Sequence, residues 1–85
     1  MLKYKVVLTK KAQKQLDKLS NKIVKPILVA IADLQCNPRS LGYKKLIGRD
    51  GYKIWTGDYR IIYDIIDDEL IIDIIALGHR KNINE

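Results

Sequence analysis

Between Lys44 and Arg60 the chain reads KKLIGRDGYKIWTGDYR, and near its end it adds Gly78-His79-Arg80-Lys81. Cations recur there on segments that otherwise read as strands. A strand alternates its side chains between two faces, so Lys53 and Trp55 share one face of the segment from Tyr52 to Thr56. Arg60 stands among the even positions of the segment from Asp58 to Tyr63. If these strands pair, Lys53, Arg60 and the Arg80-Lys81 end can line one cationic groove, an arrangement for gripping a phosphate backbone. Arginine suits that task because its planar fork can bond two phosphoryl oxygens at once.

Each of these residues has a plainer reading. Arg60 can be a surface partner of Asp58, Asp64 or Asp73. Trp55 stacks on a base if it faces the groove and is core if it faces the other way. His79 is the one side chain whose ordinary pKa lies near neutrality, yet a histidine beside an arginine at a strand end is often structural. Tyr59 and Tyr63 share a face with Ile61 and Ile65 and read as core.

With 85 residues there is room for one domain, spanning 1–85, and no second core. The net charge of +6 and pI of about 9.5 point to an anionic partner, either nucleic acid or an acidic protein, although small basic domains with neither are common. Cys36 is the only cysteine, which excludes an internal disulfide and a cysteine-based metal cluster and fits a reduced, cytosolic setting. It reads as closing a helix on the buried side. The start, Met1-Leu2-Lys3-Tyr4-Lys5, lacks the apolar run of a signal peptide. Asp64, Asp67, Asp68, Glu69 and Asp73 break up the Ile-rich C-terminal region, so no membrane-spanning run forms. Asp67-Asp68-Glu69 reads as a solubilising hairpin tip, since three adjacent acids cannot converge on one metal ion.

The elements that must position the cations follow from periodicity. Tyr4 to Leu8 reads as a first strand. Thr9 can cap a helix through Leu19, with Ala12, Leu16 and Leu19 as its apolar stripe and Lys10, Lys11, Lys14 and Lys18 as its solvated face. Ser20 or Asn21 opens a second helix toward Gln35, with Ile23, Ile27, Ala30, Ile31 and Leu34 at helical spacing, and Asn37-Pro38 stops it. Pro26 requires that this helix begin close before it. From Leu41 the pattern changes to strands: Lys44 to Ile47, Tyr52 to Thr56, Tyr59 to Ile66 and Leu70 to Leu77. Gly48 to Gly51 is a turn, and Gly57-Asp58 is a tight hairpin connection. The order β-α-α-β-β-β, with a short extra strand at Lys44, predicts an α+β fold with two N-terminal helices on one face of a mainly antiparallel sheet.

At this level the chain resembles the RelE/ParE superfamily of toxin–antitoxin toxins, on its RelE side. The resemblance rests on the opening strand and helix pair, Leu34-Gln35-Cys36-Asn37-Pro38, Lys45-Leu46-Ile47-Gly48, Gly57-Asp58-Tyr59-Arg60-Ile61-Ile62-Tyr63, and the closing Gly78-His79-Arg80-Lys81. It covers nearly the whole chain in order. It implies a twisted sheet in the manner of microbial ribonucleases, and a cytoplasmic enzyme that cleaves messenger RNA in the ribosomal decoding site without metal or cofactor. The implied partners are the ribosome with its messenger RNA and a cognate acidic, RelB-like antitoxin, with operator DNA reached only through the antitoxin complex; no membrane is involved. ParE relatives share the fold but poison DNA gyrase. A member that binds antitoxin without cleaving is a further alternative.

The resemblance carries catalytic roles to Lys53, Arg60 and Arg80; beside it, the residues' own chemistry makes Lys44, Lys45, Trp55, His79 and Lys81 the expected RNA contacts. Two positions depart from the family pattern. Trp55 stands where a second basic residue often follows the first, and Ile83 or Asn84 stands where a tyrosine often follows the histidine–arginine pair. The implied chemistry uses the ribose 2′-OH as nucleophile on the adjacent phosphate. It needs a base for the 2′ proton, cations for the phosphoryl oxygens and an acid for the 5′ oxygen. Cations aimed at developing charge are worth on the order of 10²–10³ in rate each, and proton transfer roughly 10²–10⁴. Lys53 can serve as the base only if neighbouring cations or burial depress its pKa.

Overall fold

The computed structural model describes residues 3–40 and 42–82. The elements run β1 (Lys5–Leu8), α1 (Lys10–Asp17), α2 (Asn21–Cys36), β2 (Lys44–Lys45), β3 (Tyr52–Thr56), β4 (Tyr59–Ile66) and β5 (Ile71–His79), with single 3₁₀ turns at Asp67–Glu69 and Arg80–Asn82. Thr9 caps α1 as its position predicts: the Oγ1 accepts the Ala12 N–H at 3.1 Å. The same hydroxyl donates to the Ile75 carbonyl at 2.7 Å, tying the cap to β5.

The five strands form one sheet in the order β1-β5-β4-β3-β2. All neighbours are antiparallel except β1, which lies parallel to β5 after the two-helix crossover. Both helices cover one face. Tyr59, Ile61, Tyr63 and Ile65 of β4 turn to that face, together with Ile54 of β3, Val6 and Leu8 of β1, and Ile72, Ile74 and Leu77 of β5. They meet Ala12, Ile27, Ile31 and Leu34 from the helices. Each fully buried Ile or Leu side chain here contributes about 1.5–3 kcal/mol relative to exposure. Among the described residues no helix covers the opposite face, the open face of the sheet.

A bulge interrupts the β4–β5 ladder. Ile62 faces Ala76, but the next residue, Tyr63, faces Ile74, leaving Ile75 as an extra residue in β5. The phase of β5 therefore inverts there, so Ile72 and Ile74 before the bulge share a face with Leu77 after it. The Thr9 hydroxyl takes the extra residue's carbonyl, and the Gln15 Oε1 accepts the Leu77 N–H at 2.8 Å. Helix α1 thus satisfies the edge of β5 where β1 has ended.

Tyr63 is fully buried and its hydroxyl donates to the Pro38 carbonyl at 2.7 Å. This bond fixes the chain leaving α2, which returns as β2. Gly51 closes the β2–β3 turn at φ +117, and its carbonyl accepts the Leu46 N–H at 3.0 Å. A Cβ there would meet Leu46 Cδ1 at 3.2 Å and Tyr63 O at 3.4 Å. Gly51→Ala is expected to cost about 1–3 kcal/mol through φ strain and crowding. A urea midpoint unchanged from wild type would show that the turn relaxes freely.

Several expectations shift. Helix α1 ends at Asp17 rather than Leu19, with Leu16 and Leu19 still packed on the core. Helix α2 holds Pro26 in its second turn, on the exposed side. Cys36 is the last residue of α2 but is exposed, not buried. Strand β2 is only Lys44–Lys45, because Leu46 turns into the core and Ile47 out to solvent at 94% exposure. Asp67 is more than a solvated tip: Arg39 holds it through two hydrogen bonds, the shorter 2.8 Å, and the Tyr4 hydroxyl donates to it at 2.7 Å. Those bonds keep its carboxyl below the usual range and push the Tyr4 phenol up. No described helix is long and apolar enough to cross a membrane.

Candidate nucleic-acid interface

The β3–β4 hairpin sets the geometry. Gly57 takes φ +59 at the first central position of a two-residue turn, which aligns the strands with Thr56 opposite Tyr59. Trp55 then lies opposite Arg60 and Lys53 opposite Ile62. Residues directly paired in a ladder share a face. With Tyr59, Ile61 and Tyr63 on the helix face, Lys53, Trp55 and Arg60 all stand on the open face. Strand β2 adds Lys44 opposite Lys53.

Arg80 joins them from beyond β5. Gly78 pairs with Arg60, and two residues later the Arg80 N–H donates to the Asp58 carbonyl at 2.8 Å. The Arg80 guanidinium lies 5.2 Å from the centroid of the Trp55 ring. Its Nη1 is 4.0 Å from Asp58 Oδ1, with both side chains largely exposed. Lys44, Lys53, Trp55, Arg60 and Arg80 therefore gather at one end of the open face. Asp64 and Asp73, paired across β4 and β5, stand on the same face toward its other end. The face is cationic near the Gly57 hairpin and acidic toward the Asp67 turn, with the apolar pair Ile62 and Ala76 between the two ends.

The remaining sequence candidates lie elsewhere. Lys45 pairs with Tyr52 and so belongs to the helix-face side of β2, although it is exposed. His79 pairs with Tyr59, its ring edge-on to the tyrosine at 5.2 Å. It borders a cavity of about 480 Å³ with Lys22, Ile23, Pro26 and Ile27, on the face opposite Arg60. The His79 Nδ1 accepts the Lys81 N–H at 3.1 Å, so it shapes the turn that carries Arg80 and Lys81. The register thus places His79 on the face opposite Lys53, Trp55 and Arg60. Lys81 is exposed on that turn. Ile83 and Asn84, the places compared with the family tyrosine, lie outside the described residues.

One of the plainer readings is resolved. Trp55 is 40% exposed on the open face and is not core. Arg60 is 4% exposed, so its side chain is buried rather than set on the surface. Asp58 is the residue that sequence reasoning undervalued. It reads as a turn residue, yet its carbonyl accepts the Arg80 N–H at 2.8 Å and its carboxylate lies 4.0 Å from the guanidinium. Its place in a two-residue hairpin, two positions before Arg60, was the available signal. Among the described residues no group of three or more side chains is arranged to hold a metal ion.

Residues 6–84 match the family model for the ParE toxin of type II toxin–antitoxin systems. The chain is also similar to several solved structures. It is 30% identical to a chain of the RelBE2 toxin–antitoxin complex from Mycobacterium tuberculosis, covering 93% of this chain and 100% of that one with a TM-score of 0.77. Similarity to the archaeal RelE–RelB complex from Pyrococcus horikoshii is 27% in identity over 96% and 100% of the two chains, with a TM-score of 0.79. The isolated E. coli RelE toxin matches at 26% identity over 89% and 83%, with a TM-score of 0.78. No curated protein sequence matches the chain.

Proposed function

The chain belongs to the RelE/ParE superfamily of type II toxin–antitoxin toxins, and from that membership we propose that it arrests translation by cutting messenger RNA in the decoding site of the ribosome. The observation that carries this reading is the single cationic end of the open face, where the sheet register brings Lys44, Lys53, Trp55 and Arg60 together under Arg80. A messenger strand laid across that end meets fixed cations at its phosphate and an exposed indole at a base.

Arg60 and Arg80 serve as the phosphate clamp, neutralising charge as the ribose 2′-OH attacks. Lys53 stands on the same face, placed either to receive the 2′ proton or to add a third positive charge. Trp55 offers a stacking surface for a base, and Lys44 extends the positive track one strand outward. Lys81 contacts the backbone flanking the site. The proposed partner in restraint is an acidic, RelB-like antitoxin, in keeping with the antitoxin complexes among the similar structures. Operator DNA is reached through that complex. The setting is cytoplasmic.

A second reading has its own support. The matching family model is that of ParE, and Trp55 replaces a cation that RelE-type toxins often carry. On that reading the protein binds DNA gyrase and cleaves nothing. One experiment separates the two: purified protein is added to ribosomes programmed with a defined messenger RNA, and in parallel to a gyrase supercoiling assay. The expected result is a cut within the decoding-site codon and undisturbed supercoiling. Intact messenger RNA with stalled supercoiling would replace the first reading by the second.

A further inference from the structure

Arg80 and Trp55 meet in an exposed contact at the cationic end of the open face. Three observations bear on it. Arg80 is held in place by its backbone bond to Asp58, which fixes the root of the side chain but not its tip. The tip has two described partners, the Trp55 ring at 5.2 Å and the Asp58 carboxylate at 4.0 Å, and all three side chains are exposed. An exposed cation–π contact shifts a local equilibrium only about twofold to fivefold, and an exposed ion pair at such a distance adds little. A base stacked on an aromatic ring is worth more, roughly 5- to 150-fold in affinity. The phosphate that accompanies the base also offers Arg80 a bidentate partner that neither Trp55 nor Asp58 supplies.

From this we infer that Trp55 is a two-state platform: it holds the Arg80 guanidinium in the free protein and gives up that ring face to an unpaired RNA base, which releases Arg80 toward the phosphate. The inference rests on the RNA-binding reading given above and adds to it a coupling between base engagement and arming of the cation. Trp55 is then a positioning residue for Arg80 as well as a base contact. Its place opposite Arg60 puts the released guanidinium beside the second cation of the clamp. The arrangement also accounts for an aromatic side chain where a lysine or arginine would repel Arg80. A cation at position 55 would hold the phosphate itself but could not store Arg80.

The experiment reads Arg80 directly. The Arg80 Nε–H resonance in a ¹H–¹⁵N spectrum should be displaced upfield by the ring current of Trp55 in the free protein, and should lose that displacement in Trp55→Leu. A 2′-O-methylated single-stranded tetranucleotide, which cannot be cut, is then titrated in. The expected result is that the Arg80 signal leaves its upfield position while the Trp55 indole N–H shifts, both with the same midpoint. Trp55 is the only tryptophan, so the indole signal is unambiguous. Trp55→Leu should weaken binding by roughly 5- to 150-fold, with Trp55→Tyr restoring most of it. Signals of Lys53 and Arg60 that move while Arg80 stays upfield would overturn the exchange but leave RNA binding intact. A spectrum in which none of these signals moves at saturating tetranucleotide would overturn the RNA-binding reading itself, and the exchange with it.

Discussion

Arg60→Ala is expected to lower messenger RNA cleavage on programmed ribosomes by on the order of 10²–10³, the usual loss when one preorganised donor to a developing charge is removed. Arg60 is the least exposed of the cations on the open face, at 4%. Its guanidinium is therefore desolvated and fixed by neighbouring strands on both sides, opposite Trp55 and Gly78. A charge held that way reorganises little as the reaction proceeds. The same burial means that truncation also removes packing along the arginine stem, so the alanine variant is expected to lose some stability as well. Arg60→Lys separates the two effects. It keeps the stem and the charge but not the planar fork, so it should stay folded and still lose much of the activity. Single-turnover cleavage with each variant, alongside its melting temperature, checks this. A folded Arg60→Lys or Arg60→Ala protein that cuts at the wild-type rate would remove Arg60 from the chemistry.

The two arginines are also expected to be non-additive. Arg60 and Arg80 are assigned to one phosphate, and groups that act as a unit lose most of their joint effect when either is removed. A double variant whose loss equals the product of the single losses would place Arg80 on a different part of the substrate.

How much of this face is legible in the sequence depends on which strand is considered. For β3 and β4 nearly all of it is. Gly57-Asp58 leaves two residues between strands, and a two-residue hairpin fixes the partner of every position that follows. Lys53, Trp55 and Arg60 fall on one face by counting alone. Strand β5 does not yield to counting, because the extra residue at Ile75 inverts its phase. The alternation of Ile72 and Ile74, continued past the bulge, would place Leu77 and His79 on the open face. One slipped residue sends both to the other side, which is why His79 borders the helices. A bulge stabilised by the hydroxyl of Thr9, a residue far away in sequence, leaves no local mark. The groove reading includes the Arg80-Lys81 end, but what sets Arg80 beside Trp55 is a 3₁₀ turn and a bond to the Asp58 carbonyl, neither of which has a period to read. Lys44 and Lys45 show the same limit on a smaller scale, since two adjacent lysines on a strand cannot both face the substrate.

The second large effect concerns Tyr63, which joins the core to the chain that delivers Lys44. Burial pushes its phenol up to about 12, with the nearby Tyr43 and Tyr52 acting in the same direction. From an ordinary value of 10.0, that rise corresponds to about 3 kcal/mol of folding stability linked to the neutral phenol. Because the folded pKa is the higher one, this contribution is complete below pH 10 and drains away as pH rises through about 12. Tyr63→Phe removes the titration and also the hydroxyl that donates to the Pro38 carbonyl. The variant should be less stable near neutral pH by about 1–3 kcal/mol, since a buried acceptor loses its donor. It should then lose less than wild type on alkaline titration, so its deficit against wild type is expected to shrink as pH rises from 10 through 12. Denaturant midpoints measured across pH 8 to 12 for both proteins test this, and curves that stay parallel throughout would mean that the Tyr63 phenol ionises as readily folded as unfolded. The functional corollary follows from connectivity. Freed from Tyr63, Pro38 no longer fixes the chain entering β2, so Tyr63→Phe should weaken binding to single-stranded RNA through Lys44 while Arg60 and Trp55 keep their places in β3 and β4.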